Sequence, residues 1–243
     1  MAMTVSKPSQ ALPGEAFLDQ LEEVRSEFLD GKPFRQRKRG ATKEELAEAK
    51  RRKHLGGDGN HRFEGERYLN CAERPVRRMQ LRKLIDEGGQ DSVGAPMPSH
   101  PRLDKWNSIE MGLTEEEILE FEKRDASPES LIISGWWFGL QRDSHWAVAI
   151  GSSLVGEGEK RLPGAAEKYL AQIEERKKEY EAMGVNVQRA IQLDLEHAPT
   201  GVDAEHAEFG ANVVRQFVDT PELQEEMERA FILTLQGRGS RGF

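Results

Sequence analysis

Apolar side chains in this chain recur at helical spacing, and no segment alternates apolar and polar positions as a half-buried strand does. In EAFLDQLEEVRSEFLDG, Phe17, Leu21, Val24, Phe28 and Leu29 share one face and Gly31 ends the pattern, which predicts a helix. Thr42 with Glu45, and Thr114 with Glu117, have the spacing of a capping box and predict helices over 43–54 and 115–124. RPVRRMQLRKLIDEGG opens on Pro75 and closes on Gly88 and Gly89, the proline-first, glycine-last order of a helix. HPRLDKWNSIEMG predicts a short helix ending at Gly112, and AAEKYLAQIEERKKEYEAMG a surface helix with pairs such as Glu174–Lys178. From Ser130 the chain turns apolar and rich in small residues, LIISGWWFGLQRDSHWAVAIGSSLVGEGEKRLPG, and reads as one buried helix with close neighbours. ANVVRQFVD and PELQEEMERAFILTLQG complete the helical pattern, and no internal repeat interrupts it. The expectation is a single compact all-α bundle of seven to nine helices over residues 15–236, with a polar tail at 1–14 and another at 237–243.

Composition narrows the function classes. The 243 residues are 32% charged and 37% hydrophobic, with a formal charge of −8, which argues against nucleic acid as the main partner. One cysteine, Cys71, permits neither an intrachain disulfide nor a thiolate cluster, a usage that suits the cytoplasm. No apolar run reaches the ~20 residues that span a bilayer. The basic stretch from Lys32 to Lys53 reads as a solvated face. There is no G-x-S-x-G nucleophile elbow and no phosphate loop.

Three positions resist a purely structural account. Glu87 stands in the last turn of its helix, where a carboxylate meets the negative end of the helix dipole. Glu159 falls in line with Val148, Ser152, Val155 and Leu162, an apolar face on which an ionised carboxylate needs a cation. Glu157, in line with Trp146, Ile150 and Leu154, is nearly as awkward, and spacing does not choose between them. The third is HAPTGVDAEHAEFG, where Thr200 and Asp203 mark a helix start and put Asp203 and His206 at i,i+3. Carboxylate and imidazole ligands without thiolates suit iron or manganese, with zinc also admissible.

Together these segments resemble a known group. NCAERPVRRMQLRKLIDEGG, QRDSHWAVAIGSSLVGEGEKRLP and DAEHAEFG are similar to stretches of the haem-oxygenase-like superfamily, in the branch that holds pyrroloquinoline-quinone synthase and the non-haem di-iron oxidases and oxygenases. The resemblance covers residues 15–236 and implies the haem-oxygenase-like bundle. Carried over by position, it implies Glu87, His100, Glu159, Asp203 and His206 as metal ligands, with Glu87, Glu159 and His206 at the centre of the chemistry. Four residues before Asp203 the pattern has histidine and this chain has Pro199. His197, two residues further back, is the replacement ligand if the proline bends its segment inward.

What the resemblance implies is an O2-dependent oxidoreductase holding two iron ions, with manganese possible at one position, and acting on a small molecule such as an amino acid, an amine or a fatty acid. Trp137 and Trp146 are candidates for a substrate pocket and Arg142 for a substrate carboxylate. A cofactorless oxidase and a non-catalytic binding protein are the alternatives on the same fold. A thiamin-salvage hydrolase lacks a cysteine where its chemistry needs one. The expected assembly is a homodimer, with neither nucleic acid nor membrane as partner.

Overall fold

The computed structural model describes residues 10–29, 40–54, 59–89, 99–123, 128–196, 198 and 202–239. His197, Pro199, Thr200 and Gly201, most of both tails, and most of the basic stretch before Thr42 lie outside the described residues. Their regular secondary structure is all helical, with no strand among the described residues, and no described helix is long and apolar enough to cross a membrane.

In chain order the helices are α1 (Gly14–Leu29), α2 (Lys43–His54), α3 (Gly59–Asn70), α4 (Arg74–Leu84), α5 (His100–Glu110), α6 (Glu115–Lys123) and α7 (Pro128–Asp143). They continue with α8 (Trp146–Gly151), α9 (Leu154–Glu157), α10 (Ala165–Ala182), α11 (Val187–Ala190), α12 (Gln192–Glu196), α13 (Val202–Phe217) and α14 (Pro221–Gly239). A π turn, Ile85–Gly89, extends α4, and a 3-10 turn, Gly158–Arg161, extends α9. The helices are shorter and more numerous than the seven to nine expected, within the same all-α class.

Local chemistry accounts for the starts and the breaks. Both capping boxes form: Thr42 Oγ1 accepts from the Glu45 amide while Glu45 accepts from the Thr42 amide, and Thr114 and Glu117 do the same. Pro75 sits in the first turn of α4, as its missing N–H favours. The long helix expected from Ser130 is interrupted twice. His145 caps α8 by accepting from the Ala147 amide, and Ser152 donates its hydroxyl to the Ala149 carbonyl at 2.6 Å as α8 ends. Helix α3 is an element that the hydrophobic pattern did not reveal. On α10, Glu174 bonds Lys177 rather than Lys178.

Two apolar cores form. The larger gathers Phe17, Leu21, Val148, Ile150, Leu154, Val214, Met227 and Phe231, from α1, α8, α9, α13 and α14. Gly151 lets α8 and α13 approach, since a Cβ there would stand 2.7 Å from Val214 Cγ2. The smaller core joins Ala47, Met111, Leu113, Ile118, Ile173, Tyr180 and Ala190, around α2, α6, α10 and α11, with α5 packed on α11 and α12. Between the two runs a band of buried charge carried by α3, α4 and the π turn.

Candidate metal centre

Helix α4 ends in the π turn, a distortion often found where side chains must be re-aimed at a functional site. It turns Asp86 and Glu87 toward α13 and the head of α5. Glu87 Oε2 lies 2.9 Å from His100 Nδ1, and Glu87 Oε1 lies 3.8 Å from His206 Nδ1. Asp86 Oδ2 stands 3.6 Å from Nε2 of the same imidazole, so His206, only 7% exposed at its side chain, sits between two consecutive carboxylates. Glu157 completes the cluster. One ligand atom from each of Glu87, Glu157 and His206 falls within 4.8 Å of the others.

Behind Glu157 stands a buried ion chain. Lys83 Nζ donates to both Glu157 oxygens, at 3.0 and 2.9 Å, and lies 3.8 Å from Glu64 Oε1. Glu64 accepts from Arg67 at 2.5 Å and from the Gln80 amide. Arg67 also donates to Gln141 Oε1 and to the Ala149 carbonyl, and its Nη2 reaches Ser152 Oγ at 3.3 Å. Burial would push the Glu64 carboxyl up, but Arg67 and Lys83 outweigh it and hold the group below its ordinary value. Burial likewise pulls Lys83 down, and the Glu157 and Glu64 carboxylates overcome this and hold the ammonium above its ordinary value. Among the described residues, the carboxylates of Glu64, Asp86, Glu87 and Glu157 and the cations of Arg67 and Lys83 lie in one cluster with His206. Imidazole nitrogens and carboxylate oxygens together suit a divalent cation of the iron, manganese or zinc kind.

The structure brings together Glu87, His100 and His206 of the residues singled out in the sequence. It brings Glu157 to them where Glu159 was expected. Glu159 lies instead near enough to Glu22 of α1 to act on its charge. The reason is the broken helix: counting 100° per residue from Val148 fails once the chain stops at Gly151 and tightens into a 3-10 turn after Glu157. Asp203 belongs to α13, one turn before His206, and its side chain, like His197, lies outside the described residues.

Of the proposed substrate residues, Arg142 is exposed and bonds the neighbouring Asp143 at 2.7 and 2.8 Å, so it is a surface ion pair and not a group facing the centre. Trp146 packs on Phe217 at the far end of α13, with ring centroids 4.8 Å apart, and is part of the larger apolar core. Trp137 does approach the ion chain, with the Arg67 guanidinium 5.9 Å above its ring and Phe63 edge-on at 6.0 Å. Glu64, Arg67 and Lys83 were missed in the sequence. A signal existed in the i,i+3 pair of opposite charges in FEGER, but such pairs are common on solvated faces.

No family model matches the chain, and no curated protein matches its sequence. Among solved structures, a TenA homolog from Pseudomonas syringae pv. tomato str. DC3000 superposes with a TM-score of 0.60 over 98% of this chain and 96% of that one, at 12% identity. At that identity the likeness is one of fold, and it does not single out the quinone-synthase-like or di-iron branch. The chain has the all-α, haem-oxygenase-like fold.

Proposed function

We propose that the chain is a metal-dependent oxidoreductase that uses O2 on a small molecule. The observation that carries this reading is the meeting of Glu87, Glu157 and His206 within 4.8 Å, beside His100. Glu87 is the hub, because it touches both imidazoles. Asp86 orients His206 from the other side of the ring, and Lys83 fixes the carboxylate of Glu157. A bound iron or manganese ion would supply the site for O2 and the electrons for its reduction. The two-metal form implied by the resemblance would also draw on Asp203 and His197.

A metal-free oxidase is the second reading, and one observation favours it: Lys83 already occupies both oxygens of Glu157. A hydrolase working through a thiol is disfavoured. Cys71 is fully buried in the larger core, its Sγ set against the Glu73 carbonyl at 3.5 Å, and burial pushes the thiol up, away from the reactive thiolate.

Anaerobic reconstitution with Fe(II), followed by metal analysis after desalting and then O2 uptake in an electrode cell, separates the readings. Bound iron that is lost in Glu87→Ala and His206→Ala supports the metal centre. O2 uptake by a protein that holds no iron, with both variants behaving as the parent does, supports the metal-free oxidase and overturns the first reading.

A further inference from the structure

We propose that Arg67, on α3 and one carboxylate removed from Lys83, is a positioning residue for Glu157. It holds the Glu157 side chain through Glu64 and Lys83, and the Glu157 backbone through the break between α8 and α9. This rests on the metal-centre reading above and extends it from the ligands to what sets one of them in place.

The guanidinium is a rigid planar fork of N–H donors, and here its donors go to two sides of one junction. On the first side, Nη1 donates to Glu64 Oε1 at 2.5 Å, while Glu64 Oε2 accepts from the Gln80 amide. With both Glu64 oxygens engaged, Lys83 goes to Glu157: its ammonium stands 3.8 Å from Glu64 Oε1 but 3.0 and 2.9 Å from the two Glu157 oxygens. Nearly equal distances put the ammonium on the bisector of that carboxylate and fix its rotation where it meets Glu87 and His206 within 4.8 Å. Without Arg67, Glu64 would draw the ammonium toward itself and release Glu157.

On the second side, Nε donates to Gln141 Oε1 at 2.5 Å and to the Ala149 carbonyl at 3.1 Å, and Nη2 reaches Ser152 Oγ at 3.3 Å. Ser152 Oγ also accepts from the Gln141 amide at 3.4 Å and donates to the Ala149 carbonyl at 2.6 Å. This is where α8 ends, and the next turn is built directly on it. The Val155 amide donates to the Ser152 carbonyl at 3.3 Å and the Glu157 amide to the Ser153 carbonyl at 3.1 Å. Arg67, Gln141 and Ser152 are all buried, and a buried network with its donors and acceptors matched is rigid. Charge alone works the other way, since removing a cation near the centre favours a divalent ion. Weaker metal binding on loss of Arg67 therefore reports lost position and not lost charge.

The full-length chain, stripped of metal, is titrated anaerobically with Fe(II) in competition with a chromogenic chelator, so that affinity is read without turnover. In Arg67→Met, binding is expected to weaken by about tenfold or more. In a Glu157→Gln background the same substitution should change affinity by less than about threefold, because the ligand that it positions is already gone. Equal losses in the two backgrounds would show general support of the fold and overturn the proposal, as would unchanged or tighter binding in Arg67→Met; the metal centre survives either result. If Glu157→Gln binds no ion, the control is Ile173→Ala, a cavity in the smaller core on α10. Parental affinity there beside a loss in Arg67→Met supports the proposal, and equal losses in both overturn it. Should Arg67→Met fail to fold by circular dichroism, Arg67→Lys, which keeps the charge and loses the fork, takes its place with the same expected and overturning results. A parent chain that binds no Fe(II) overturns the metal-centre reading itself and this inference with it.

Discussion

Glu64 lies at the middle of the buried ion chain, and replacing it with glutamine leaves its shape and removes its charge. Arg67 then loses its carboxylate partner at 2.5 Å, and Lys83 keeps only Glu157. Breaking a buried pair by neutralising one member costs about 3–5 kcal/mol, because the remaining ion stays desolvated and uncompensated. The Gln80 amide can still donate to the new side-chain oxygen, so the loss is electrostatic rather than steric. Against a typical total stability of about 5–15 kcal/mol that is a large fraction. With a urea slope of about 2–3 kcal/mol/M the unfolding midpoint of Glu64→Gln should fall by roughly 1–2.5 M at unchanged slope. Urea unfolding followed by circular dichroism at neutral pH measures it. The double variant Glu64→Leu/Arg67→Met removes both charges and should recover part of the loss. A single-variant loss below about 1 kcal/mol, or a double variant worse than the sum of the two singles, would refute the claim that the chain is held by mutual neutralisation.

Two further outcomes follow from packing and from burial. In Gly151→Ala the new Cβ meets Val214 Cγ2 at 2.7 Å and Met227 Sδ at 3.2 Å. The methionine can give way and the β-branched valine cannot, so the variant should lose about 1–2 kcal/mol and roughly 2–8 °C in melting temperature by calorimetry. An unchanged or higher melting temperature would show that the α8–α13 contact has slack. For Glu22, burial outweighs the neighbouring Arg25 and raises the carboxyl above its ordinary 4.5. A raised folded-state value means that its contribution is full below 4.5 and is lost as pH climbs through the folded value. Stability measured from pH 4 to 7 should therefore fall less steeply in Glu22→Gln than in the parent chain, and parallel profiles would contradict the burial argument.

The hydrophobic pattern was informative wherever a helix buries an apolar face. Helix α1, the two capping boxes and the proline-led α4 stand where the sequence puts them, and Glu87 and His206 emerge as misfits on their helices. It was blind to α3, whose inward face carries Glu64 and Arg67 rather than leucine and valine, so that its buried side reads as a surface. It also misled at Glu159. Periodicity assumes an unbroken helix, and the hydrogen bonds of His145 and Ser152 at the breaks are local side-chain-to-backbone contacts that apolar spacing does not register. Arg142 was expected to hold a substrate carboxylate and instead pairs with the adjacent Asp143 at the surface.

The two apolar cores imply that the molecule opens in more than one step. Segments with separate cores tend to unfold as separate cooperative units, and here His100 heads the helix packed toward the smaller core while α9 and α13, which carry Glu157 and His206, contribute to the larger. The Glu87–His100 bond therefore ties a helix of the smaller core to the end of α4. Any ligand gripping both sides adds its binding free energy to the closed form alone. Protection of the α5 amides from hydrogen exchange would then rise on loading while that of α14 stayed constant. In this protein the occupancy of a centre would be written in the dynamics of a helix that supplies it with a single side chain.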